Sequence, residues 1–214
     1  MSLTLHFHPL SSYCQKVLIA LYEAGTPFAP VIVNFADPDS AAAFRKLWPV
    51  GKMPVLRDAD RDQTVPESSI IIEYLGQHYP RGTALIPADP ALALRTRLAD
   101  RFYDNYVHDP MQRIVGDRLR PQDSKDPFGV AAAEAMLVKS YDLIDAEMAD
   151  RSWAVGDVFT LADCAAAPPL FFANKLVPFG ERRNLTAYFR RLSRRPSVAR
   201  AFNEAEPFLK FFPG

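Results

Sequence analysis

His8-Pro9-Leu10-Ser11-Ser12-Tyr13-Cys14-Gln15-Lys16-Val17 is the stretch on which the fold turns. Before it, Leu3, Leu5 and Phe7 alternate with Thr4, His6 and His8, the period of a half-buried strand. After it, Val17, Leu18 and Leu21 fall at helical spacing, and the pattern from Ser12 to Ala24 stops at Gly25-Thr26-Pro27. A strand therefore hands over to a helix at Ser11. Working outward, the pattern predicts a strand over Phe28–Val33, a short helix over Ser40–Leu47, a hairpin of Val55–Asp58 and Gln63–Val65 around Asp60, and an apolar helix over Ser68–His78. The predicted order is βαβαββα.

Beyond Tyr79 the character changes. Pro80, Gly82, Pro87 and Pro90 break every period, as an ordered linker would. Asp89-Pro90 then offers an N-cap and a first-turn proline. Helices are expected over Ala91–Arg120, Pro127–Asp150, Leu161–Lys175, Leu185–Arg194 and Ser197–Ala205, with no strand among them. The fold class is α+β, divided as 1–80, a linker 81–90, and an all-helical domain 91–214.

Composition narrows the function. With 214 residues, 49% of them apolar, the chain can fill a core and is not disordered. Lys+Arg and Asp+Glu both number 25, so no bulk field draws the chain to nucleic acid or an acidic membrane. Nineteen prolines against nine glycines mark stiff turns rather than flexible ones. Two cysteines make no disulfide framework, the N-terminus lacks a signal-peptide pattern, and the apolar run Ala165–Phe172 is too short to span a bilayer. A cytoplasmic protein is expected, without membrane or nucleic-acid partners.

Three motifs carry chemistry. A helix N-terminus at Ser11-Ser12-Tyr13-Cys14 favours an anion. Redox proteins place Cys-x-x-Cys here, and Ser11 in place of the first sulfur removes a dithiol cycle. A hydroxyl instead can donate to a thiolate brought by a substrate. Lowering a thiol pKa from about 8.5 to about 6.5 needs about 2.7 kcal/mol. A hydrogen bond to a charged group supplies roughly 1.5–3 kcal/mol and a helix end roughly 0.3–1. The plainer reading is that Ser11 or Ser12 only caps the helix. In Gly51-Lys52-Met53-Pro54-Val55, a cis Met53–Pro54 bond would turn the Met53 backbone toward an extended ligand; a trans bond would not. In Pro66-Glu67-Ser68-Ser69, Ser68 at a helix start suits a carboxylate and Glu67 an ammonium, although an ordinary cap has the same letters.

Other features read as structure. Thr160-Leu-Ala-Asp163 is a capping box, with Phe159 placed as a hydrophobic staple. His6 and His8 share a strand face but have no third ligand at metal spacing, so no metal is expected. Seven arginines between Arg182 and Arg200 stand beside a single acid, Glu181, and read as a solvated helix face, with an anionic partner as the alternative. Tyr103, Tyr106, His108 and Met111 share one helix, which Pro110 should kink.

Together, Ser-Ser-Tyr-Cys-Gln-Lys-Val, Gly-Lys-Met-Pro-Val-Leu and Pro-Glu-Ser-Ser-Ile-Ile-Ile-Glu-Tyr-Leu, followed by Phe-Thr-Leu-Ala-Asp-Cys, resemble a cytosolic glutathione S-transferase of the bacterial, serine-type, theta- or zeta-like kind. The resemblance spans nearly the whole chain. It implies a thioredoxin-like domain that binds glutathione as co-substrate, a helical domain that completes the electrophile site, and a homodimer. By the same resemblance Ser11 activates the thiol, with Ser12 as runner-up because the doubled serine blurs the alignment. Met53 pairs through its backbone, Pro54 is cis, Glu67 and Ser68 clamp the γ-glutamyl group, and Lys52 reaches the glycine carboxylate. Leu10 and Tyr106 are the implied electrophile-pocket residues. The chain departs from the tyrosine-type classes, since Phe7 stands where their tyrosine would. Cys14, one turn past the active position, is expected to be packed inside rather than to serve a cysteine-type mechanism.

Overall fold

Alternation in the first segment becomes strand β1 (Leu3–Phe7), which buries Leu3, Leu5 and Phe7 and leaves Thr4 and His6 half-exposed. The computed structural model describes residues 2–213. Helix α1 (Ser12–Ala24) follows and ends at Gly25, whose left-handed φ of 60° lets its N–H return to the carbonyls of Leu21 and Tyr22. Strand β2 (Ala29–Ile32) runs parallel to β1. Helix α2 (Pro38–Leu47) begins two residues before the patterned start, because the Asp37 carboxylate accepts the Asp39 N–H at 3.0 Å and Pro38 takes the first helical position.

Strands β3 (Val55–Asp58) and β4 (Gln63–Pro66) form the expected hairpin, and helix α3 (Ser68–His78) closes a thioredoxin-like domain with sheet order β2-β1-β3-β4. Register is what matters for function. His6 pairs with Val55, and Val55 pairs with Pro66. The carboxyl end of β1, the start of β3 and the end of β4 therefore lie at one edge of the sheet. The loops leaving that edge carry Ser11, Met53-Pro54 and Glu67-Ser68.

The second domain is helical. Helix α4 (Pro90–Phe102) starts at Asp89, which accepts the Leu92 N–H at 2.8 Å. The continuous helix expected to Arg120 is interrupted: Tyr103–His108 is a π turn, and α5 (Asp109–Arg118) continues from it. Pro110 has no N–H to offer the Tyr106 carbonyl four residues earlier. That carbonyl instead accepts from the Ser140 hydroxyl at 2.8 Å, a donor from α6 (Pro127–Glu147), which stops three residues short of expectation. Helices α7 (Leu161–Leu176), α8 (Arg183–Arg194) and α9 (Pro196–Ala205) follow. Short 3₁₀ turns at Gln122–Ser124 and Glu206–Phe211 were not legible in the pattern.

Helix α7 is buried nearly all round; its small residues Ala162, Cys164, Ala165, Ala166 and Ala167 admit α1, α4 and the π turn at close range. Among the described residues no helix is long and apolar enough to cross a membrane. One apolar core runs from Leu5, Val17 and Ile71 through Leu137 and Leu170 to Leu192. The connection between α3 and α4 is pinned as it crosses: the Leu85 carbonyl accepts the Leu161 N–H at 2.8 Å. At Gly82, with φ 57°, an added Cβ would sit 2.8 Å from the Glu23 carbonyl oxygen.

The box at the start of α7 is the folding device its letters implied. Asp163 is wholly buried and accepts the N–H groups of Thr160 and Ala154, both at 2.9 Å, and the hydroxyls of Tyr188 at 2.6 Å and Thr160 at 3.2 Å. Burial lifts its carboxyl above the ordinary value, against the pull of those donors. Thr160→Ala should cost about 1 kcal/mol. Asp163→Ala, which strands the N–H groups of Thr160 and Ala154 and the Tyr188 hydroxyl together, should cost about 3 kcal/mol or more. Urea midpoints with unchanged m-values measure both.

Candidate active site

Ser11 sits where β1 has ended and α1 begins. Its N–H donates to the His8 carbonyl at 3.0 Å, and its extended backbone (φ −80°, ψ 122°) makes it the N-cap of α1. Its hydroxyl oxygen accepts the Cys14 N–H at 3.4 Å. A capping hydroxyl spends a lone pair and keeps its own hydrogen to donate. Ser11 is half-exposed, whereas Ser12 is buried at 4%. The loop before it is held by the buried Gln15, whose amide donates to the Pro9 carbonyl at 2.8 Å.

The Met53–Pro54 bond is cis. Pro54 is buried, Met53 is half-buried and Lys52 is exposed. Glu67 is exposed and has φ 69°, one of two non-glycine residues with positive φ among the described residues. Such a conformation costs on the order of 1 kcal/mol or more and marks a backbone held by its neighbours. Here the neighbours are the last residue of β4 and Ser68, the buried first residue of α3.

Behind these residues lies a cluster that the sequence reading missed. Lys16 is 1% exposed, and its ammonium meets Asp100 at 2.5 Å, Asp104 at 2.9 Å and the Ser69 hydroxyl at 2.9 Å. Ser69 donates to Asp100 at 2.8 Å. Arg101 reaches the Ser69 hydroxyl at 2.7 Å, Asp100 at 3.1 Å, and Asp104. Two cations and two carboxylates thus tie the N-terminal halves of α1 and α3 to α4 and the π turn. The available signal was the i, i+4 spacing of Asp100 and Asp104, but Lys16 stands more than 80 residues away in another helix.

Beside this cluster the His108 ring lies 4.0 Å from that of Tyr13. His108 is 4% exposed and neither ring nitrogen has a hydrogen-bond partner. Burial, with Lys16 adding to it, holds its pKa down to about 3. Burial and the nearby Asp104 hold the Tyr13 phenol well above its usual value. Cys14 is wholly buried, its thiol pushed up to about 12, which makes it a packing residue and no nucleophile.

Of the residues expected at an electrophile pocket, Leu10 is half-buried against the core, and Tyr106 is exposed on the π turn with its ring 5.5 Å from Phe102. The C-terminal segment was also missed: the Phe208 ring lies edge-on to His8 at 4.9 Å, Phe212 packs against Phe172, and Arg118 donates to the Pro213 carbonyl at 2.8 Å. An aromatic run without helical period reads as a tail, yet it folds back beside the loop that carries Ser11. His6, by contrast, lies against Phe44. A cavity of about 460 Å³ lies elsewhere, under the linker between Ala20, Ile72 and Leu85, and is lined by none of Ser11, Lys52, Met53, Pro54, Glu67 and Ser68. The chemistry marks the sheet edge instead.

Residues 5–83 match the N-terminal domain of glutathione S-transferases and residues 102–196 the C-terminal domain. The chain is similar to glutathione S-transferase GstB of Escherichia coli K12, 26% identical over 190 residues, 88% of this chain and 91% of that protein. It is also similar to maleylacetoacetate isomerase of Pseudomonas aeruginosa, 25% identical over 208 residues, 97% of this chain and 96% of the other. A solved glutathione S-transferase of Methylobacillus flagellatus with glutathione bound superposes with a TM-score of 0.82 at 25% identity, covering 94% of this chain and 98% of that one.

Two stability measurements follow from the buried cluster. Lys16→Met leaves two buried carboxylates facing Arg101 alone and should cost about 3–5 kcal/mol in denaturant unfolding; adding Asp104→Asn restores neutrality and should return part of it. His108 is ordinary in the unfolded chain, near 6.5, and about 3 in the folded one. Between those values unfolding takes up a proton, so the stability of the neutral imidazole is full above pH 6.5 and is lost as pH falls. His108→Leu should therefore flatten the acid limb by up to about 1.4 kcal/mol per pH unit between pH 6 and 4.

Proposed function

The chain belongs to the glutathione S-transferase family, and on that footing we propose that it conjugates the glutathione thiolate to a small apolar electrophile. The observation that carries this reading is the register that gathers three loops at one sheet edge, with His6 opposite Val55 and Val55 opposite Pro66. In this reading Ser11, half-exposed and with its hydrogen uncommitted by the cap, donates to the substrate sulfur. Ser12 is the weaker candidate because it is buried. The Met53 backbone beside cis-Pro54 pairs with the cysteinyl unit. Glu67 holds the γ-glutamyl ammonium, Ser68 its carboxylate, and Lys52 the glycine carboxylate. The thiol proton leaves to solvent, the sulfur bonds to the electrophilic carbon, and the leaving group departs with its electron pair. Holding the peptide at several points makes the attack effectively unimolecular. Leu10 and Tyr106 contribute to the electrophile pocket. Isomerisation through the same thiolate is a second reading, favoured by the likeness to maleylacetoacetate isomerase over nearly the whole chain.

The proposal includes the division 1–80, 81–90 and 91–214, a role in cytoplasmic detoxification, and a homodimer. Ile70 on α3 and Leu94 and Leu98 on α4 are exposed at 54%, 69% and 69%. The Arg97–Glu73 pair, at 2.9 and 2.8 Å, fixes those two helices side by side, so the three side chains form an apolar face that a second copy would cover.

Purified protein should turn over an aryl halide with glutathione. Ser11→Ala should lower kcat/KM by about 10- to 100-fold, the worth of one hydrogen bond to a thiolate. Ser12→Ala should leave it nearly unchanged, and Glu67→Gln should act mainly by raising KM for glutathione. If Ser12→Ala rather than Ser11→Ala removes the rate, the roles of the two serines exchange. A folded protein that neither turns over such substrates nor is retained on immobilised glutathione would overturn the enzyme reading. Light scattering should give a dimer that Leu94→Glu with Leu98→Glu dissociates.

A further inference from the structure

The arginines of the α8 region divide into two sets. One is committed within the chain. Arg182 pairs with Asp142 at 2.7 Å and lies over the Tyr141 ring. Arg191 donates to the Ser152 carbonyl at 2.5 Å. Arg195 grips Glu23 with two bonds of 2.6 Å and lies over Trp153 and Phe159, and Arg200 pairs with Glu204 at 2.9 Å. The other set is Arg183, Arg190 and Arg194. All three are exposed, and among the described residues none has a carboxylate within 4.0 Å.

These three share one face. With Ala187 they fall at helical spacing (183, 187, 190, 194), while Leu185, Tyr188 and Leu192 bury the opposite face in the core. Two shallow depressions, of about 470 and 440 Å³, flank the stripe and share Ala187 and Arg190. The small Ala187 leaves a saddle between them. The second depression is also lined by Trp153 and Pro196, an apolar contact beside the charges.

We propose that this face of α8 is a docking surface for an acidic peptide segment of another protein, carboxylates seated on Arg183, Arg190 and Arg194 and an apolar side chain over Ala187 toward Trp153. Guanidinium groups match carboxylates through paired N–H donors. The stripe is about 16 Å long, eleven rises of 1.5 Å from Arg183 to Arg194, the length of three helical turns of a partner or about five extended residues. Nucleic acid is the poorer fit. Binding along a phosphate backbone engages roughly 6–10 contacts, against three uncommitted arginines here. Glu181 lines the first depression and would repel a phosphate, and the chain's 25 basic and 25 acidic residues provide no long-range attraction for a polyanion.

The test uses the full chain and a fluorescent twelve-residue helical probe with glutamates three and four apart and one central leucine, read by anisotropy at low ionic strength. Binding should weaken at least about tenfold in the triple variant Arg183→Glu, Arg190→Glu, Arg194→Glu, and by a similar factor when ionic strength rises from about 0.02 to about 0.2 M. The variant alters surface positions only, so its circular dichroism and its turnover of glutathione should match the parent. No binding of the acidic probe, binding indifferent to the charge reversal, or tighter binding of a single-stranded oligonucleotide of the same charge would each overturn the proposal.

Discussion

An ammonium group removed from water has to be met, and the whole arrangement of the two domains answers that demand at Lys16. Burying it unpaired would cost several kcal/mol or force it neutral. Asp100, Asp104 and the Ser69 hydroxyl meet it within 3 Å. Because those partners come from α3, α4 and the π turn, the charge balance holds only when the helical domain docks in one orientation. The buried helix α7 packs against α1, but apolar contact alone tolerates sliding. A point charge between two carboxylates does not.

That constraint reaches the functional edge through adjacency. Ser69 follows Ser68, and Lys16 lies one turn beyond Ser12, so the cluster cross-links the starts of the two helices whose N-termini face the candidate site. The sheet register places the loops, and the buried ions hold the helices that follow them. Glu67, caught between β4 and α3 at positive φ, sits where both constraints meet. Backbone strain of this kind persists only where the surroundings over-determine it.

Local features were legible in the sequence, and long-range compensation was not. Alternation at Leu3, Leu5 and Phe7, the stop at Gly25 and the caps at Asp89 and Thr160 each depend on residues within a few positions, and each forms as patterned. The π turn could not be read, because Pro110 says only that the Tyr106 carbonyl loses its donor; the Ser140 hydroxyl that replaces it comes from another helix. Nothing near Lys16 in the sequence marks its role for the same reason, since Asp100 and Asp104 stand more than 80 residues away. The arginine run was read as a solvated face, yet Arg182 and Arg195 are committed to Asp142 and Glu23 far away in the chain. For the candidate site, the three motifs could be found by type and spacing, whereas the closeness of Phe208 to His8 depends on how the last residues return.

The two readings of Ser11, cap or chemistry, are not rivals. A serine hydroxyl has two lone pairs and one hydrogen. The cap uses a lone pair to receive the Cys14 N–H, and the bond is long at 3.4 Å. Donation to a sulfur anion uses the hydrogen. An N–H donor on the oxygen makes the hydroxyl a better donor in turn, since hydrogen bonds in a chain polarise one another. A cysteine at the same position could offer a sulfur but only a weak cap, and an alanine could offer neither. Serine at the junction of β1 and α1 therefore serves the start of the helix and the stabilisation of a thiolate at once, which is why a stretch of ten residues decides so much of both.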